Sequence, residues 1–171
     1  MDIRTCKLLA QYNQTANRKM NDCIRKLSGA QWEQEFGGYF RSIKQLCGHI
    51  YLSDFNWLKR TSQGRAFQFR EDPLFAQDMS YSSAPFDTVD DYVNKRETLD
   101  QKIMLLAAEM TAADLDRSVT FQTIKGDMMT KNIGGSLLHM FNHQTHHRGM
   151  ISLYLDSMKI ENDFSSLLPL I

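Results

Sequence analysis

Residues 133–159 read IGGSLLHMFNHQTHHRGMISLYLDSMK, and the periodicity of this stretch decides the fold. At roughly 100° per residue, a helix here places Ile133, Leu137, Met140, Ile151, Tyr154 and Met158 on one apolar stripe. His147 falls near the middle of that stripe, and His143 about 40° from it at the i, i+4 spacing. His139 and His146 lie roughly 100–120° from its centre, toward the flank. Such a stripe has to be covered by other helices, and the rest of the chain supplies them.

Proline and glycine are scarce, and long periodic stretches dominate. A first helix is predicted over 3–27, with Leu9, Ala16, Met20, Cys23 and Leu27 on its buried stripe. Ser28–Gly29 stops it, and Ser28 with Gln31 can form a capping box for a short turn of helix. Gly37–Gly38 then breaks the chain, and a second long helix is predicted over 39–60. Residues 61–86, with Gly64, Pro73, Pro85 and a Ser-rich YSSAP, read as a long irregular connection. Asp87 or Thr88 starts a third helix that ends near Glu109. The β-branched VTFQTIKGDMMT, interrupted by Lys125–Gly126, reads as a short hairpin or an ordered loop before the last helix. The expected fold is all-α: a four-helix bundle forming a single domain over residues 1–171. The long 61–86 connection is the crossover that two parallel neighbours, the second and third helices, require. The apolar tail FSSLLPLI packs on the bundle or on another subunit.

Composition narrows the class. The chain has 171 residues, 42% hydrophobic and 23% charged, as expected of a globular protein large enough to bury a core. Twenty basic residues balance twenty acidic ones, so bulk charge points neither to nucleic acid nor to an anionic membrane as partner. Cys6, Cys23 and Cys47 are odd in number and lack CxxC spacing, which argues against a disulfide framework and a thiolate zinc site. They read as packed thiols. The start of the chain, MDIRTCKLLAQYNQ, lacks the apolar stretch of a signal peptide, and no window approaches the ~20 apolar residues of a membrane span. A cytoplasmic, reducing location is the resulting expectation.

Two histidines at i, i+4 project imidazoles from adjacent turns of one face, a spacing shared with helical zinc sites. Neutral imidazole is a common ligand for Zn, Ni, Cu and Fe. The competing reading is a pair of packed or solvated histidines. An inward pair needs further ligands, and the one remaining histidine, His49, lies in CGHIYLSDFNWLKR of the second helix, toward the edge of its apolar face. Asp54 falls on that apolar face. There it either supports a ligand imidazole or pairs with another buried polar group. Trp57, Tyr12 and Tyr154 read as core or pocket wall, and the ten methionines as core filling. No glycine-rich phosphate loop, nucleophile elbow or dinucleotide fingerprint is present.

Three segments carry a family resemblance: NHQTHHRG at 142–149, GHIYLSDFNWL at 48–58, and Tyr12–Asn13. In order and spacing the chain resembles the DinB/YfiT-like superfamily of metal-dependent enzymes. The resemblance implies one divalent metal ion, Zn or Ni, held by His49, His143 and His147. Asn142, His146 and Arg148 also match the family motif, and with Asp54 they are candidates to support the site or touch substrate; capping, solvation and ion pairing are the alternatives. The family usually continues HHRGQ, whereas this chain has Met150 after Gly149, which weakens the transfer of any specific reaction.

Three neutral imidazoles leave an ion its full charge and an open position, as in catalytic zinc sites. Metal-bound water or a thiolate would then serve as nucleophile. The implied functions are a metal-dependent hydrolase or a thiol-dependent transferase acting on a small molecule, with a low-molecular-weight thiol as a possible partner. The alternatives are a non-catalytic metal- or small-molecule-binding protein and a stress-response interaction protein. The apolar tail and the habit of the resembled family suggest a homodimer.

Overall fold

The computed structural model describes residues 1–76, 79, 85–123 and 125–171. Helix α1 spans Ile3–Ile24, opened by Asp2, whose carboxylate accepts the Thr5 N–H. It ends earlier than the periodicity suggests, because Lys26 and Leu27 close in i, i+3 turns onto Cys23 and Ile24. The capping box of Ser28 and Gln31 forms as expected and starts the short helix α2, Gly29–Glu33.

Helix α3 covers Ile43–Thr61, beginning four residues later than its apolar period suggests. Ser42 takes the N-cap and accepts the Gln45 N–H, while the Gln45 side chain accepts the Arg41 N–H. Residues 39–41 are thereby left in a loop. In the 61–86 connection, Gln68–Glu71 and Pro73–Ala76 form single 3-10 turns that bury Phe69 and Phe75. Residues 81–84 of the YSSAP stretch lie outside the described residues.

Thr88 caps α4, Val89–Glu109, with Asp90 and Asp91 in the first turn complementing the positive helix end. A short helix not anticipated from the sequence, α5 over Ala112–Asp116, is set by a second capping box of Thr111 and Asp114. Strand β1, Ser118–Gln122, pairs antiparallel with β2, Met128–Asn132, in the register Ser118–Asn132 to Gln122–Met128. The anticipated hairpin therefore exists, and Gly126 supplies its positive φ.

Helix α6 spans Ile133–Ser157 and follows β2 without an intervening residue. Asn132 closes the ladder, accepts the Gly135 N–H as N-cap, and donates to the Leu115 carbonyl.

Among the described residues the fold is mostly helical, with one small two-stranded sheet. Helix α1 packs on α4 and α6, and α3 packs on α4 and α6. The core between them contains Met20, Leu46, Ile50, Phe55, Leu99, Ile103, Leu137, Met140 and Ile151. The α6 stripe is buried as read, except that Met158 at its end is half-exposed. On α1 the face turns differently: Leu9 is half-exposed, while Asn13, Asn17 and Asn21 are buried. Among the described residues no helix is long and apolar enough to cross a membrane.

Candidate metal centre

The α3–α6 contact brings three imidazoles together. His143 and His147 project from adjacent turns of α6, and His49 meets them from the middle of α3. His143 Nε2 lies 2.9 Å from His49 Nε2 and 3.1 Å from His147 Nε2. Ligand bonds of ~2.0–2.1 Å at tetrahedral angles separate nitrogens by about 3.3 Å. The two separations from His143 are close to that spacing, and all three ligand atoms lie within 4.8 Å of one another. Three converging Nε2 atoms also make poor hydrogen-bond partners for one another, since each close pair needs one donor and one acceptor. The residues present fit a metal.

Burial pushes the His143 imidazole down from 6.5 to about 3, with the neighbouring histidines adding to the effect. Burial likewise takes His147 to about 4, assisted by His49 and His146, and lowers His49. The rings are neutral at physiological pH, as ligands must be. This has a measurable consequence for metal-free protein. Below about 6.5 an unfolded chain binds protons at these rings that the folded chain refuses. Stability is therefore retained above that pH and lost as it falls toward the folded values. The melting temperature of metal-free protein is expected to fall between pH 7 and 4.5, more steeply than in the variant His143→Gln/His147→Gln. Parallel curves for the two proteins would contradict the assignment.

The other motif residues go elsewhere. His139 and His146 are exposed, with His139 edge-on to Trp57 and the His146 ring 4.8 Å from His147. Asn142 is also exposed. Met150 packs, half-buried, against the apolar core. The Nδ1 atoms of His143 and His147 are buried without a protein partner among the described residues.

Asp54 takes the second of its two sequence readings. It is fully buried, and its Oδ2 accepts from Arg96 Nη1 at 2.9 Å and from Gln144 Nε2. Burial pushes its carboxyl up to about 6 against the pull of Arg96.

Asp54 belongs to a closed ring of buried polar groups that joins α1, α3, α4 and α6. Arg96 donates through Nη2 to Asp100 Oδ1 at 2.8 Å, and Asn17 donates to the same oxygen at 2.9 Å. Arg148 Nη1 donates to Asn13 Oδ1 at 2.6 Å, Asn17 Oδ1 at 3.1 Å and Gln144 Oε1 at 3.4 Å. Gln144 completes the circuit at Asp54. Two guanidinium and two carboxylate groups balance, which makes their joint burial tolerable. Arg148 thus acts in the ring, and Gln144, missed in the sequence, alternates with the histidines along α6. Its signal was its place on the apolar stripe, four residues after Met140 and seven before Ile151.

One further contact bears on the triad. Phe40, in the loop before α3, lies 4.4 Å from the His49 ring and edge-on to His147 at 5.4 Å between centroids. Its carbonyl accepts the Tyr154 hydroxyl at 2.8 Å.

Comparison with known proteins places this geometry in a family. The family model that matches is that of the DinB family, over residues 2–158. A curated relative, Protein DinB of Bacillus subtilis (strain 168), is 24% identical over 147 residues, covering 86% of this chain and 82% of the relative. Among solved structures, a DinB-like protein from Bacillus subtilis aligns with a TM-score of 0.64 at 18% identity, over 92% of this chain and 97% of its own. A DinB-like protein from Bacillus cereus ATCC 10987 aligns with a TM-score of 0.64 at 16% identity, over 91% of this chain and 93% of its own. These two structures show a shared fold.

Proposed function

The chain belongs to the DinB family, and from that premise and the triad we propose that it binds one divalent ion, Zn or Ni, through His49, His143 and His147. The observation that carries the reading is the convergence of three Nε2 atoms from two helices distant in sequence. A surface histidine cluster would not be neutralised by burial in this way. The scaffold we infer is a four-helix bundle with a crossover: Tyr92 lies beside Cys47 and Arg96 reaches Asp54, so numbering rises along α3 and α4 together.

Three neutral donors and no carboxylate suit an enzymatic role, as a metal-dependent hydrolase or a thiol-dependent transferase acting on a small molecule. An ion so held would supply Lewis acidity to a bound water or thiol. The chain's own part is to hold the imidazoles neutral and to shield one side with Phe40. No cysteine competes as nucleophile: all three are free and buried, and burial pushes the Cys47 thiol up to about 12. Non-catalytic binding is the second reading, favoured by Met150, which packs on the core at the position where the resembled family usually carries glutamine.

We also propose a homodimer, because Leu168 and Ile171 of the tail are 74% and 77% exposed rather than covered by their own chain. The test is elemental analysis of tag-free protein with light scattering on the same sample. One Zn or Ni per chain and two chains per particle are expected. Metal well below one per chain after reconstitution would refute the first reading, and a monomer at high micromolar concentration the second.

A further inference from the structure

The loop that carries Phe40 is fastened at several independent points. Its base is closed by the Phe36 N–H donating to the Arg41 carbonyl at 2.6 Å. Tyr154 of α6 stacks on Phe36 with centroids 4.1 Å apart and planes 9° from parallel, while its hydroxyl holds the Phe40 carbonyl. Gly38 sits so close that a Cβ there would lie 2.3 Å from the Tyr154 hydroxyl oxygen, so only glycine lets the loop close over that ring.

The fastened loop presents two aromatic rings. Phe40 is half-exposed, with one part of its surface on His49 and His147. Tyr39 stands edge-on to Phe40 at 4.9 Å and is 90% exposed. An aromatic ring left in water on a loop fastened at Phe36, Phe40 and Arg41, beside a ring that touches two candidate ligands, makes an aromatic corner next to the metal position.

Resting on the metal reading above, we propose that Phe40 is a specificity-determining residue. With Tyr39 it selects metal-binding small molecules that carry an aromatic group next to a compact head such as a thiol. Tyr154 is a positioning residue that acts through the Phe40 carbonyl. Aromatic pairs favour edge-to-face and offset contacts, and the Tyr39–Phe40 corner offers an edge and a face to a third ring.

The test uses full-length protein loaded with Co(II), whose visible spectrum reports the three histidines and whose thiolate charge-transfer band reports a bound thiol. Phenylmethanethiol and 2-mercaptoethanol, thiols of similar acidity, are titrated separately. The wild type is expected to bind the aromatic thiol on the order of 10-fold more tightly. Phe40→Ala should retain the cobalt spectrum and bring the two affinities within about 2-fold. Tyr154→Phe keeps the stack on Phe36 but frees the Phe40 carbonyl, and should shrink the preference with the cobalt spectrum intact. Gly38→Ala disturbs the same latch from the loop side and should act alike. Equal affinities in the wild type, or an undiminished preference in Phe40→Ala, would overturn the proposal while leaving the metal site standing. A wild type that gives no cobalt spectrum would remove the metal reading and this inference with it.

Discussion

His143→Ala is expected to weaken divalent-metal binding by more than ~100-fold, a loss larger than removal of an outer supporting partner produces. His143 has the central place in the cluster, with its Nε2 close to both others. Its removal leaves His49 and His147, which cannot enclose an ion without two ligands from solvent. His147→Ala should act alike. His139→Ala and His146→Ala, at exposed positions, should leave affinity within a few-fold, and so should Cys47→Ala in the core. Competition with a chromophoric chelator measures all five. The assignment is sunk if His143→Ala keeps tight stoichiometric metal, or if His146→Ala loses as much as His143→Ala does. Any catalytic turnover found for this protein should follow the same order.

The second large effect concerns stability. Arg96→Met is expected to cost about 3–5 kcal/mol, the range for breaking a buried ion pair from one side. Arg96 is 1% exposed and Asp54 and Asp100 are equally enclosed, so the substitution strands two carboxylates away from water. Both already sit above the ordinary carboxylate range because of burial, with Arg96 opposing that rise. Removing the guanidinium lets burial act unopposed. Urea unfolding followed by circular dichroism gives the number by linear extrapolation. A loss under ~1 kcal/mol would mean that water reaches the ring freely and that its groups are not coupled in the way their distances suggest.

Much of this was legible in the sequence, for reasons particular residues make plain. His143 and His147 could be selected because a helix has a fixed period and an apolar stripe marks its inner side. Ser28 and Thr88 announced their helices because a cap is a local device, complete within four residues. The same rule applies to Ser42 and Gln45, which carry the signal that α3 begins late; the apolar period of 39–60 overrode it. That misreading placed Phe40 inside a helix and hid its contact with the triad. The polar face of α1 was unreadable for a different reason. Asn13 and Asn17 look like solvated residues until Asp100 and Arg148, 83 and 131 positions away from Asn17, are brought beside them. Arg96, in VNKRETLD, looks equally solvated. Long-range pairs between polar groups leave no periodic trace, and so the fate of Asp54 was open until the helices were assembled.

The join between β2 and α6 has a mechanical consequence. A loop between two elements acts as slack, absorbing motion of one before it reaches the other. Here Asn132 is at once the last rung of the ladder, the cap of the helix and a strut to Leu115, and nothing lies between it and Ile133. The hairpin and α6 are therefore joined without slack. The hairpin also rests on α3, where Phe121 of β1 lies edge-on to Trp57, so the strands brace both helices that carry the three imidazoles. The spacing of His49 from the α6 pair is thereby buttressed from the far end of the two helices.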